Sequence, residues 1–532
     1  MRSLPHLLAA LLTTTGAAAF EYNTFDGPGF PSCYNVSRVH NATSVADMAA
    51  VVKEVAAAAS SSSSSSAVGR VRAAGKGHMW YDTQCSDAWT VVVRTEQVNA
   101  ISEFALPAGA DRGSVWVEAG TTFFQLAEYL HARGASVGYT LTNWNISFGG
   151  SVAMGAHRSS IREESMVAAG VLAMDIIDGS GEVRRVVRDE GDDEWLAAST
   201  SLGLLGIIAR IQLQVYARER IGGVADKFRL DEKDVLDGDI YGMIAPYATA
   251  NLWWWPYKRK FHHRYYDPVP SNSTPQEGFQ NTFSVTELEA IAARTLLDSG
   301  KYLPTSNMLA EEIFFGLWEK PNFREKTTNE EIKEWPVYGW NYDVLIGGLY
   351  PDQKAEWEYG LAGYTMELAF PMPLANKMLK RVRQLFDDEL KKGIVMTSTY
   401  RSGINIKFGK AYFDFLGQVT YNTTDGADWT KGAIMFDFPS FRPTIGDHKR
   451  FNEQFCKGIW YKASGTTVEL TVTQRPQSSQ HAHRRVPRAA RTGTKNTREV
   501  FTRSVKNLDP KSPAHLHDAS VSRPYADLFS PP

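Results

Sequence analysis

The chain has 532 residues, 43% hydrophobic and 22% charged, the balance of a soluble globular protein and longer than one hydrophobic core usually fills, so at least two domains are expected. Its 57 basic and 59 acidic residues leave a net charge of −2, which excludes the basic surface that a nucleic-acid partner requires. Three cysteines exclude a disulfide scaffold, and the absence of Cys/His clusters at zinc spacing leaves no metal site to expect.

The N-terminus, MRSLPHLLAALLTTTGAAAF, places Arg2 before an apolar stretch from Leu7 to Leu12 and the small residues Ala17, Ala18 and Ala19 before Phe20. This is the pattern of a secretory signal peptide over residues 1–19, too short to span a membrane. No later stretch reaches ~18 consecutive apolar residues, so no membrane span is expected and the mature protein reads as secreted. Sequons at Asn35, Asn41, Asn145, Asn272 and Asn422 agree with a secreted glycoprotein, and Cys33 and Cys85 are candidates for a bridge.

Met48–Ala59 is an alanine-rich amphipathic helix candidate, followed by an uninterrupted serine run, Ser60 to Ser66, that reads as a flexible loop insertion. Strands are predicted at Arg70–Ala74, Trp89–Arg94 and Ser114–Glu118, then a helix over Thr121–Arg133 with Phe124, Leu126, Ala127 and Leu130 on its pattern. Val167–Asp178 and Gly181–Arg188 read as a hairpin around Asp178-Gly179-Ser180-Gly181, and Leu204–Val215 as a further strand. The region 70–216 is therefore a mixed α+β domain. Beyond it aromatic residues become dense, as in NLWWWPYKRKFHHRYY (251–266), which hints at a pocket for a ring-bearing or apolar alcohol and reads equally as core. Leu374–Lys391 is an amphipathic helix flanked by strand-like Tyr364–Phe370, Gly403–Phe408, Phe413–Tyr421 and Gly432–Phe438: a second, sheet-plus-helix domain. Residues 463–492 are polar and basic without a core pattern, and 510–532 are proline-rich.

Chemistry concentrates in Arg72-Ala-Ala-Gly75-Lys76-Gly77-His78, a strand running into a glycine turn whose backbone N–H groups can hold a pyrophosphate. The turn is neither GxGxxG opening a helix nor GxxxxGKS, so Rossmann and Walker readings are disfavoured. Val117-Glu118-Ala119-Gly120, Gly149-Gly150 with Gly155-Ala156-His157, and Leu202-Gly203-Leu204-Leu205-Gly206 follow in order.

As a set, over residues 31–216, these segments resemble the FAD domain of the vanillyl-alcohol oxidase superfamily (PCMH type), within it the L-gulonolactone, D-arabinono-lactone and alditol oxidases. The resemblance implies an α+β fold: a two-part PCMH-type FAD-binding domain in 31–216 and an α+β substrate (cap) domain with an antiparallel sheet in 219–460. Residues 461–492 would be disordered or an error of gene prediction, 493–510 a segment returning to the flavin, and 511–532 a disordered tail. It implies FAD attached through His78, with Gly75, Lys76 and Gly77 along the pyrophosphate. Gly149, Gly150, Gly155 and His157 would line the isoalloxazine and pyrophosphate, and Gly203 and Gly206 the adenine side. The family's GHS is GHM here, so Met79 removes a hydroxyl donor. The stretch LTNWNIS (141–147), where bicovalent relatives carry a cysteine, has none, so at most one covalent bond is expected.

The resemblance also implies a cap glutamate over the flavin. Glu367 fits, with Ala369 where an arginine commonly stands. Arg401 or Lys407 would supply the missing charge, solvent-facing strand positions being the alternative for both. Lys495 aligns with the lysine of a HWxK motif whose His-Trp pair is absent. The implied activity is FAD-linked oxidation of a hydroxyl group of a small-molecule alcohol (a sugar lactone, an alditol or an alcohol of secondary metabolism) by hydride transfer to flavin N5, with O2 as acceptor and H2O2 as product. A flavin dehydrogenase, or a flavin-binding protein without turnover, are the alternatives.

Overall fold

The computed structural model describes residues 20–23, 32–61, 69–77, 90–138, 145–217, 220–223, 228–270, 272–280, 286–300, 302–319, 323–333, 337–344, 359–361, 363–396, 403–412, 428–441, 460–463 and 466–469. The expected signal peptide, Cys85, Arg401, the strand Phe413–Tyr421 and Lys495 lie outside these residues. Cys33 is disulfide-bonded, and its partner also lies outside them.

The N-terminal part is two sheets with a helix between them. Strands β1 (Phe20–Asn23) and β2 (Ser32–Asn41), helix α1 (Val45–Ser61), and strands β3 (Arg70–Ala74) and β4 (Thr90–Arg94) give a four-stranded sheet in the order β1-β2-β4-β3. Strands β2 and β3 both run parallel to β4, and α1 supplies the crossover that parallel strands need. Helix α1 is longer than expected: Ser44 Oγ accepts from the Asp47 N–H at its start, and it takes in Ser60 and Ser61 of the serine run. Its Met48, Ala49, Val51 and Val52 pack on Val91 and Val93 below and on Ile177, Ile207 and Ala209 of the next sheet.

That second sheet is antiparallel. It is built from β5 (Ile101–Ala105), β6 (Arg112–Glu118), helix α2 (Phe123–His131), β7 (Ala135–Ser136), helix α3 (Phe148–Ala153), β8 (Val171–Ile177), β9 (Val183–Val187), helix α4 (Asp193–Ser199) and β10 (Ile207–Ala217). The order is β5-β6-β10-β8-β9, with β7 on β10. The expected hairpin is β8–β9, its strand starting at Val171 because 167–170 form a 3-10 turn. Thr122 and Gln125 close a capping box on α2, whose Phe123, Leu126, Ala127 and Leu130 are buried at one-face spacing.

The C-terminal part is an eight-stranded antiparallel sheet. It comprises β11 (Arg220–Gly223), β12 (Phe228–Asp231), α5 (Glu232–Asp237), α6 (Ile240–Ile244), β13 (Thr249–Trp255), β14 (Lys260–Pro268), β15 (Gly278–Gln280), α7 (Glu287–Ser299), α8 (Thr305–Trp318), β16 (Phe323–Glu325), β17 (Val337–Trp340), α9 (Asn341–Val344), β18 (Gly363–Pro371), α10 (Ala375–Lys391), β19 (Ile404–Gly409) and β20 (Ala433–Phe441). The path through the sheet is β17-β11-β14-β13-β19-β20-β18, with β12 on β14, while β15 and β16 pair separately. Within the stretch expected to be unstructured, β21 (Trp460–Ala463) and β22 (Thr466–Glu469) pair as a hairpin, helped by the β-favouring Thr-Thr-Val run.

Strand alternation gives this sheet two unlike faces. One face carries Leu252, Trp254, Ile404, Ile406, Phe408, Ile434, Phe436, Phe438, Leu368 and Phe370, packed against Met378, Leu379, Val382 and Phe386 of α10. The aromatic run 251–266 belongs to the cores, which corrects the hint of an aromatic substrate pocket there. Trp254 stacks on Phe261 at 5.1 Å, and Trp253 and Trp255 pack with Phe315 and Trp318 of α8. Their indole N–H groups explain the neighbouring polar residues. Trp254 Nε1 donates to Glu232 at 2.9 Å and Trp255 Nε1 to His262 Nδ1 at 2.9 Å.

His263 lies in the same region, 5% exposed, with the rings of Tyr247 and Tyr265 at 5.6 and 5.5 Å. Burial pushes its imidazole down to about 4. The value in the folded state lies below the unfolded one of about 6.5, so the contribution of this residue is complete above pH ~6.5 and fades as the pH falls to the folded value. In thermal denaturation across that window, His263→Phe should lose less stability than the wild-type chain, by about 3 kcal/mol at the acidic end. Identical pH dependence of the two proteins would remove His263 as an acid-sensitive point.

Candidate active site between the two domains

The glycine segments converge around the first turn of α3. A Cβ on Gly75 would lie 2.0 Å from Ser147 Oγ, and one on Gly149 would lie 2.7 Å from Ala119 Cβ. Gly149 N–H donates to the Ala119 carbonyl at 2.9 Å. Gly77 has φ +70°, the left-handed region that glycine enters without strain. The β3 turn, the Ala119-Gly120 turn and α3 thus pack so closely that only glycine fits at Gly75 and Gly149. The residues fit an FAD at this place.

The other expected cofactor positions divide. Gly150 is exposed, and nothing lies within 4 Å of a Cβ on Gly203. At Gly206 the nearest atom to a Cβ is the Ile177 carbonyl at 2.1 Å, so close approach of β10 to β8 already demands glycine. The Lys76 ammonium is 3.4 Å from Glu96. His78 lies outside the described residues.

Beyond Gly155 (φ +66°) the chain leaves the N-terminal part as a finger. Val167 N–H donates to Ala156 O at 3.0 Å and Arg158 N–H to Ser165 O at 2.9 Å, and His157 bridges Met166. The finger lies on the C-terminal sheet. Ser160 N–H donates to Phe408 O at 2.8 Å, and Lys410 N–H to Ser160 O at 2.7 Å. Ser159 Oγ accepts from Phe408 N–H at 2.8 Å and donates to Ala250 O.

The sheet face turned to this finger carries a cluster of polar side chains beside Met435 and Ala369. His157 Nε2 is 2.6 Å from Glu367 Oε1, and its Nδ1 is 3.2 Å from the Arg158 carbonyl. Lys407 Nζ donates to Glu367 Oε2 at 2.6 Å and to Asp437 Oδ2 at 3.1 Å. Register explains the grouping: Glu367 on β18 stands opposite Asp437 on β20, and Asp437 opposite Asn405 on β19. Asn405 Oδ1 accepts from Asn251 Nδ2 at 3.3 Å. Burial alone would raise the Glu367 carboxyl, but His157 and Lys407 outweigh it and hold the group well below its ordinary value. Burial would depress Lys407, and the carboxylates of Asp437 and Glu367 instead keep it an ammonium. Asp437 is raised, by burial and then by the like charge of Glu367, against the opposing pull of Lys407. Removing one member of such a cluster strands its partner at a cost of about 3–5 kcal/mol.

Of the catalytic expectations, Glu367 and Lys407 are brought together, and Arg401 lies outside the described residues. His157, expected beside the cofactor, is bonded to Glu367. Asp437 went unnamed in the sequence reading. Its signal is in the strand Ile434-Met-Phe436-Asp437-Phe438, where a single carboxylate alternates against a buried aromatic face. Ala369, where the resemblance implied an arginine, packs with Met435 and Met166. Among the described residues no group of side chains is arranged to hold a metal ion, and no helix is long and apolar enough to cross a membrane.

Residues 37–187 match the family described as an FAD binding domain. D-arabinono-1,4-lactone oxidase of Kluyveromyces lactis is 26% identical over 186 residues, 35% of this chain and 34% of that protein. L-gulono-1,4-lactone dehydrogenase of Mycobacterium tuberculosis is 29% identical over 257 residues, 46% and 54% of the two chains, and L-gulonolactone oxidase of Mus musculus 23% identical over 260 residues, 49% and 56%. The chain therefore spans about a third to a half of the length of these curated relatives. Among solved structures, cholesterol oxidase from Brevibacterium sterolicum superposes with a TM-score of 0.65 at 13% identity, covering 93% of this chain and 94% of that one. A VAO-type flavoprotein from Myceliophthora thermophila gives 0.55 at 12% identity, covering 89% and 77%. With this fold, this cradle and this domain match together, residues 37–187 are an FAD binding domain, and the chain has the fold of the VAO-type flavoprotein and of cholesterol oxidase.

Proposed function

We propose that the chain is an FAD-dependent oxidase that takes a hydride from a hydroxyl-bearing small molecule, and that it is a secreted glycoprotein with the flavin attached through His78. The observation that carries the reading is the buried cluster His157–Glu367–Lys407–Asp437, in which a residue of the FAD-binding part, His157, meets the carboxylate of the cap sheet. When bound, FAD supplies the hydride acceptor and returns its electrons to oxygen as H2O2.

The residues of the chain supply position and proton handling. An ammonium has three N–H donors. Lys407 gives one to Glu367 and one to Asp437, and the third is left to hold a substrate hydroxyl oxygen. The two carboxylates around it offer an acceptor for the hydroxyl proton as the hydride leaves. The names of the curated relatives favour a sugar lactone or alditol. Ala369 in place of an arginine leaves Lys407 as the cationic contact among the described residues and leaves room for an alcohol of secondary metabolism. The relative named a dehydrogenase supports a second reading, in which another acceptor replaces oxygen.

Expression through a eukaryotic secretory host should give yellow protein that releases peroxide on one of a panel of alditols, lactones and aromatic alcohols. Reduction of a dye without peroxide would select the dehydrogenase, and colourless protein would sink both readings. Flavin should remain with the acid-precipitated polypeptide and pass to the supernatant in His78→Ala; flavin retained by that variant would exclude the link. Lys407→Met should keep its flavin and lose roughly 10²-fold in turnover, the scale of a well-placed charged hydrogen bond in a transition state. A loss below about threefold would reduce Lys407 to a structural ion pair.

A further inference from the structure

A buried hydroxyl stands where the two glycine segments meet. Ser147 immediately precedes α3 and is 5% exposed. A serine in this place usually closes its own helix through its side chain. Ser147 makes no such bond, and its hydroxyl has no other hydrogen-bond partner among the described residues. Its carbonyl is engaged, accepting from the Ser151 N–H at 3.0 Å and the Ser151 hydroxyl at 2.8 Å. The first two amides of α3 are taken as well: Phe148 N–H donates to the Thr121 carbonyl and Gly149 N–H to that of Ala119, each at 2.9 Å.

Across from the hydroxyl lies the turn after β3. A Cβ on Gly75 would be 2.0 Å from Ser147 Oγ, and one on Gly150 would be 3.8 Å from the same atom. The oxygen therefore fills the notch that Gly75 leaves by having no side chain. The N–H groups of Gly75, Lys76 and Gly77 have no hydrogen-bond partner among the described residues either. Gly77 enters the left-handed region at φ +70°, the kind of turn in which successive N–H groups form a concavity for an anion. Lys76 and Gly150, on the two flanks, are exposed. A buried hydroxyl without a partner is costly in a folded chain, and an anionic oxygen beside it recovers that cost with a short, charge-assisted bond.

We propose that Ser147 is a cofactor-binding residue whose hydroxyl donates to a phosphate oxygen of FAD, beside the N–H groups of Gly75, Lys76 and Gly77. This rests on the FAD-binding reading of residues 37–187 and extends it from the backbone of one turn to a side chain 70 or more positions away in the chain. One phosphate then holds two segments, the β3 turn of the four-stranded sheet and the start of α3 against the antiparallel one. Ser147 also completes the sequon Asn145-Ile146-Ser147, and Asn145 is exposed, which gives a second reason for a hydroxyl at this position.

The experiment separates the two reasons. The full chain is prepared in a His78→Ala background, so that no covalent bond masks affinity, freed of flavin and titrated with FAD. Ser147→Ala should weaken FAD binding roughly 10–100-fold, the scale of one hydrogen bond to a charged group. Without FAD, Ser147→Ala should unfold at the temperature of its parent or above it, because it removes a buried hydroxyl that has no protein partner. Asn145→Gln, which removes the sequon and keeps the hydroxyl, should bind FAD as its parent does. In the flavin-loaded chain with His78 intact, phosphorus NMR should show a pyrophosphate resonance displaced by Ser147→Ala. FAD held as tightly by Ser147→Ala as by its parent, with unchanged phosphorus resonances, would overturn the contact. A flavin-free Ser147→Ala that has lost stability would make the serine a packing residue, and equal weakening in Asn145→Gln would assign the effect to the glycan. A parent chain that binds no FAD would instead remove the FAD-binding reading, and this contact with it.

Discussion

Everything in the site depends on a finger of the FAD-binding part lying across one face of the cap sheet. Residues 156–167 leave Gly155, pair with themselves, and reach Ala250 and Phe408 through Ser159 and Ser160. The contact fixes where His157 stands, and His157 fixes one oxygen of Glu367. Satisfying the backbone groups of the finger on β13 and β19 makes the junction specific, because buried peptide groups without partners are costly. A one-residue slip of β18 would turn Glu367 onto the face of α10 and present a hydrophobic residue to His157.

The cap sheet is therefore two surfaces back to back. Phe436 and Phe438 go to the α10 core, while Met435 and Asp437 go to the finger. The apolar side supplies the hydrophobic stability of the domain, and the polar side carries charges that such a core would exclude unless paired. His157, Glu367, Lys407 and Asp437 tolerate burial because every charge has an opposite or hydrogen-bonding neighbour within about 3 Å, at the strong end of charge-assisted bonds. The dense tryptophans are part of this economy of the fold. They fill the layers on either side of the sheet, with Glu232, His262 and Glu311 as partners for indoles and loop N–H groups.

The cofactor region works on the opposite principle. Where the cap site is built from long side chains, the cradle is built by leaving them out. Gly75 against Ser147 and Gly149 against Ala119 are contacts that a single methyl group would break. Gly206 shows that the same residue type serves plain strand packing, since the Ile177 carbonyl occupies the place of its Cβ.

Local patterning determined much of this protein. Period-two alternation gave β6, β18, β19 and β20, helical spacing gave α1, α2 and α10, and the ordered glycine turns identified the FAD-binding part, because these signals depend on residues near one another in the chain. It also brought out Glu367 and Lys407 as candidates. Tertiary structure showed which glycines are packed against other segments, bonded His157 to the cap carboxylate, and placed the tryptophans of 251–266 in the cores. It alone brought in Asp437. That residue is 70 positions from Glu367 in the chain and its neighbour only through β18–β20 pairing, and strand register between distant segments is a property no local pattern contains.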